Sequence, residues 1–67
     1  MTNTRKLKGR MVEYNFNLTR FSHAMGMTRP TLNNKLYNRV DFLSSEIKKA
    51  CELLEIGDDE IAEYFFN

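Results

Sequence analysis

Glycine occurs only three times in this 67-residue sequence, and proline and cysteine once each. There is no linker, no low-complexity tract and no repeat, so a single domain over residues 1–67 is expected. The lone cysteine, Cys51, excludes an internal disulfide and reads as a buried, inert thiol in an apolar helical stretch. No apolar run approaches the roughly 18 residues that cross a bilayer, and the basic start lacks the apolar segment of a signal peptide. A cytoplasmic protein without a membrane partner is therefore expected. Strand signals are missing too, because no stretch alternates apolar and polar residues between turn residues. A chain this short buries only about 60% of its unfolded surface, which leaves little room for an enclosed catalytic pocket. It offers no nucleophile–base pair, metal-ligand cluster or phosphate-cradling glycine loop, so neither an enzyme nor a cofactor is expected.

Net charge is also small, +1 at neutral pH, but the sum conceals an asymmetry. Residues 1–40 hold eight basic side chains against Glu13 alone, a balance of +7. Residues 41–67 hold Lys48 and Lys49 against eight carboxylates, a balance of −6. A basic half suits a polyanion, and an acidic half does not face one. With 42% hydrophobic residues the chain is globular in composition, not disordered.

What is abundant is helical spacing. Leu7, Met11 and Tyr14 predict a first helix over about Thr4–Tyr14, broken by Asn15-Phe16-Asn17. Asn17 is a suitable N-cap for a second helix from Leu18 to Met25, with Leu18, Phe21 and Met25 on one face. Gly26 fits the left-handed position that ends a helix and turns the chain. A third helix runs to about Tyr37 with Leu32 and Leu36 inward. Its cap is Thr28, or Arg29 because a residue before Pro30 resists helical dihedrals. A fourth spans about Ser44–Leu54, with Ile47, Ala50, Cys51 and Leu54 inward and Glu46 favoured by the helix dipole. A short fifth opens at Gly57 or Asp58 and ends at Tyr64 or Phe65, its Asp58-Asp59-Glu60 run reading as an N-terminal cap. The expected fold is all-α, with five short helices.

The stretch from Asn17 to Leu32 carries the functional signal: a capped helix, a glycine turn, an apolar residue and a second capped helix. Helices joined this tightly cross steeply, and the second can project from a small body. Such a helix fits the major groove of B-form DNA, its N-terminal residues nearest the bases. With Phe42, Ile47, Ala50, Leu54 and Ile56 behind it and the ending Glu60-Ile61-Ala62-Glu63-Tyr64-Phe65-Phe66, the sequence resembles the Cro/CI-type (XRE-like) helix-turn-helix family over about residues 7–66. Members of that family are small phage and bacterial transcriptional regulators. The resemblance implies a lambda-repressor-like DNA-binding domain with its helix-turn-helix in the second and third helices. It also implies a double-stranded DNA operator as partner and a nucleoid-associated place in the host cytosol. Carried over by position, base contacts fall to Arg29, Pro30, Thr31, Asn33 and Asn34, and backbone contacts to Asn17, Thr19, Lys35 and Arg39. Arg29 suits guanine, Asn34 suits adenine and Pro30 suits a thymine methyl.

The sequence departs from the family pattern in places. Leu18 stands where a glutamine is common, removing one phosphate contact. Tyr37 and Asn38 replace Asn-Gly, and Asn38 tolerates a left-handed turn. An arginine–glutamate pair common in the family is replaced by Met11 and Leu36, which are expected to touch. His23 is expected at the surface or beside a phosphate, and Met11, Met25 and Met27 in the core. Tyr64, Phe65 and Phe66 cannot all face one core from a terminal helix, and they are assigned to a partner surface, for a homodimer or a second phage regulator. An alternative function follows from that surface: an antirepressor or co-repressor acting by protein–protein contact.

Overall fold

Short polar side chains open the first three helices. The computed structural model describes residues 1–67 and places α1 at Thr4–Glu13, α2 at Leu18–Met25, α3 at Arg29–Leu36, α4 at Ser44–Leu54 and α5 at Ile61–Phe65. No strand is present. Asn3, Asn17 and Thr28 each accept a hydrogen bond from the backbone N–H three residues on, at 3.1, 2.8 and 3.3 Å. Each bond satisfies a donor that a first helical turn leaves unpaired. Thr28 is thus the cap of α3, and Arg29 is already helical despite preceding Pro30. α4 is closed from the other side, where Glu46 Oε1 reaches back to accept from the Leu43 N–H at 2.9 Å.

The ends of α1 to α4 share one device. A single left-handed residue lets the following N–H reach a carbonyl five residues back. These residues are Asn15, Gly26, Asn38 and Glu55, with φ between 51° and 72°. The bonds run from Phe16 to Met11 (2.8 Å), Met27 to Ser22 (3.0 Å), Arg39 to Asn34 (2.9 Å) and Ile56 to Cys51 (2.9 Å). Phe16, Met27 and Ile56 then pack against the core, whereas Arg39 is exposed.

The core sits where four helices meet. Leu7 of α1, Phe21 of α2, Leu32 and Leu36 of α3 and Leu54 of α4 are fully buried. Met11 and Leu36 both belong to this core. Phe16 meets Phe21 edge-on at 5.1 Å, and Phe65 meets Phe42 at 5.4 Å, which seats α5 on the loop before α4. α1 also ties the carbonyl ends of its neighbours: the Thr4 hydroxyl donates to Leu36 O, and Arg10 donates to Leu54 O at 2.8 Å and Glu55 O at 2.7 Å. The cation of Arg10 thereby meets the negative end of the α4 dipole.

Three boundaries differ from the sequence reading. α1 and α3 each stop one residue early, at Glu13 and Leu36. α5 starts at Ile61, not at Gly57 or Asp58, because residues 58–60 form a turn closed by a bond from Glu60 N to Gly57 O at 2.9 Å. No helix is long and apolar enough to cross a membrane.

Candidate nucleic-acid interface

Only Gly26, Met27 and Thr28 separate α2 from α3, so the two helix starts are held in a fixed relation. The inner side of α3 is Leu32, Lys35 and Leu36. Its outer side begins with Arg29, Pro30 and Thr31, all exposed, and continues with Asn33 and Asn34, both half-buried. Asn17 and Thr19 lie exposed at the start of α2. Between the two starts runs an open groove lined by Leu18, Arg29, Pro30 and Asn33. The capping bond engages Asn17 Oδ1 with the Arg20 N–H, and the Thr28 hydroxyl donates to that of Thr31 at 2.9 Å. Beyond the helix, Arg39 Nη1 donates to Asn34 Oδ1 at 3.2 Å.

Electrostatics favour an anion here. No carboxylate occurs between Glu13 and Asp41, and Arg20, Arg29, Arg39 and His23 are all exposed. The two ion pairs of the protein, Lys6–Glu63 and Lys35–Glu46, leave those arginines unmatched. No group of three or more His, Cys, Asp and Glu side chains converges as a metal site would need.

Lys35 does not join this face. Its side chain is about 10% exposed and its ammonium lies 2.5 Å from Glu46 Oε1. Burial pushes the Glu46 carboxyl up, but the hydrogen bonds from Lys35 and the Leu43 N–H, with the Lys35 charge, outweigh it and hold that carboxyl below its ordinary range. The signal was present in the sequence: Lys35 falls three residues after Leu32 and one before Leu36, on the inward stripe.

The terminal aromatics also divide. Tyr64 and Phe65 are buried, so they do not form a partner surface, while Phe66 is 64% exposed. Phe65 is held by Phe42, and the Tyr64 carbonyl accepts from the Asn3 N–H at 2.8 Å. Phe66 borders a groove of about 260 Å³ that also takes in Met1, Phe42 and Ile47. Cys51 is buried, and burial, with the nearby Asp58 charge, pushes its thiol up. Arg10 is a structural residue that the sequence reading did not single out; nothing local marks a side chain whose partners lie 44 and 45 residues away.

Five helices without a strand define a small all-α protein. The chain belongs to the DUF739 family, described as a protein of unknown function, which matches residues 2–67. No curated protein matches it.

Proposed function

We propose that this protein is a sequence-specific, DNA-binding transcriptional regulator, Cro- or repressor-like in style, that lays α3 into the major groove. One juxtaposition supports the reading. Arg29, Pro30 and Thr31 stand exposed at the start of α3, beside Asn17 and Thr19 at the start of α2, within a stretch free of carboxylates. In this reading α2 and α3 are the helix-turn-helix of a lambda-repressor-like domain. Arg29 and Asn34 read base edges, Pro30, Thr31 and Asn33 flank them, and Asn17, Thr19 and Arg39 grip the backbone. Lys35 acts from below, by its ion pair with Glu46 at the start of α4. One such module makes few base contacts, so a symmetric dimer on two half-sites a helical turn apart supplies the needed affinity.

The test is a titration of duplexes selected by the protein from random-sequence DNA, at two salt concentrations. Affinity should fall steeply with salt. Arg29→Ala and Asn34→Ala should each lose about 1–3 kcal/mol of specific binding. Binding that ignores salt, or variants as tight as the parent, would overturn the reading.

A second reading has its own support in exposed apolar side chains away from α3. Met1, Leu43 and Phe66 are all more than half exposed, at 77%, 61% and 64%, and Met1 and Phe66 line the groove beside Phe42. In this reading the protein is an antirepressor or co-repressor that contacts another regulator. Light scattering of the protein alone and with a repressor separates the two, since a monomer that binds DNA only beside its partner favours the second.

A further inference from the structure

Of the four left-handed turns that end α1 to α4, three are followed by an apolar residue packed on the core and one by a cation. Phe16, Met27 and Ile56 follow α1, α2 and α4, and Arg39 follows α3. The bond from Arg39 N to Asn34 O, at 2.9 Å, sets residues 34 and 39 side by side whatever their side chains are. In the other turns that adjacency serves packing. Here it joins two polar side chains at the surface, Arg39 Nη1 to Asn34 Oδ1 at 3.2 Å.

We propose that Arg39 is a positioning residue for base reading: its guanidinium sets which way round the Asn34 amide is presented to DNA. This rests on the DNA-binding reading above, and it gives Arg39 a share in specificity beyond a grip on phosphate. An asparagine amide has two unlike ends, an accepting oxygen and a donating nitrogen. A guanidinium carries only donors, so it holds Oδ1 and repels the Nδ2 hydrogens. Held by Arg39, the amide keeps Nδ2 on the far side and one lone pair of Oδ1 free. That arrangement offers one donor and one acceptor in a single order, which is what adenine N7 and N6–H₂ demand. Without the guanidinium the amide turns over freely and meets other base edges equally well. Half-burial of Asn34 limits its other motions, which leaves this half-turn as the freedom that Arg39 removes.

The probe is the set of duplexes that the wild-type protein selects from a random-sequence library. Each base is substituted in turn at the position whose preference Asn34→Ala abolishes. Asn34→Ala should lose discrimination there by roughly 5- to 150-fold. Arg39→Ala should lose most of that discrimination at the same position, the double variant should lose no more than Asn34→Ala, and Arg39→Lys should recover part of it. In the DNA-free, ¹⁵N-labelled protein, the Asn34 side-chain amide resonances should move on Arg39→Ala and stay in place on Arg29→Ala. Uniform weakening of Arg39→Ala on all four duplexes, with discrimination intact, would overturn the proposal, and so would unmoved Asn34 resonances. A wild-type protein that binds every duplex alike is a different failure: it removes the DNA-reading function underneath.

Discussion

Residues 14–40 and residues 41–67 are equal in length and both largely helical, yet they treat their charges in opposite ways. The first stretch has no carboxylate, and Arg20, Arg29 and Arg39 stay exposed without an acidic partner. The second is crowded with carboxylates and sends two of them across the fold, Glu46 to Lys35 and Glu63 to Lys6. The guanidinium of Arg10 is engaged too, by the carbonyl end of α4. Counting charges along the sequence therefore overstates what the basic half displays. Folding engages Lys6, Arg10 and Lys35, and leaves Arg5 and Lys8 of α1 exposed without an acidic partner, together with the arginines of α2, α3 and the turn that follows.

The largest effect is expected at the shared core, to which both halves contribute, Phe21, Leu32 and Leu36 from one and Ala50 and Leu54 from the other. Phe21→Ala or Leu32→Ala, at fully buried positions, should lower unfolding free energy by about 2–5 kcal/mol in urea titrations. In a domain this small such a loss can unfold both halves together. A smaller effect is expected where the halves exchange charge. Glu46→Gln should cost roughly 1.5–3 kcal/mol at neutral pH, by loss of a charged hydrogen bond at a largely buried site. The folded Glu46 carboxyl lies below its ordinary value, so its contribution is present above the unfolded pKa and is lost as pH falls through the folded one. Denaturation followed from neutral pH into the acid range should thus decline less steeply for Glu46→Gln than for the parent. The smallest effect sharpens the contrast in another way. Glu55 holds a left-handed conformation (φ 51°) that asparagine or glycine supplies at the other three turns. Glu55→Gly should raise stability by about 0.5–1 kcal/mol, read as a higher thermal midpoint.

Legibility in the sequence followed the range of the interactions. Asn17, Gly26 and Thr28 act on backbone groups within a few residues, so the limits of α2 and the glycine turn could be read directly, as could Ser44–Leu54. Pro30 left the start of α3 open, because its restriction on Arg29 competes with the hydroxyl of Thr28, and the hydroxyl prevails. The start of α5 was misread: an acidic run suits a helix start and a turn equally well, and bonds reaching three residues back settle it as a turn. Among the candidate site residues, the exposure of Arg29, Pro30 and Thr31 followed from periodicity. The inward place of Lys35 follows from the same periodicity, one position before Leu36, although its partner Glu46 lies eleven residues on. The burial of Tyr64 and Phe65, by contrast, depends on partners in other segments. Such long-range partners leave only faint local traces. The pairing of Arg39 with Asn34 lies between these cases, since Asn38 was readable as a turn residue but the alignment of its neighbours needed coordinates.

α3 is only eight residues long, about 12 Å, which is too short to persist as an isolated helix in water. It exists because Leu32 and Leu36 are clamped beneath it and the Thr4 hydroxyl holds its last carbonyl. Melting α3 alone would bring Leu32 and Leu36 into water, so the outward placement of Arg29, Pro30 and Thr31 is secured from beneath, by side chains that never reach the surface.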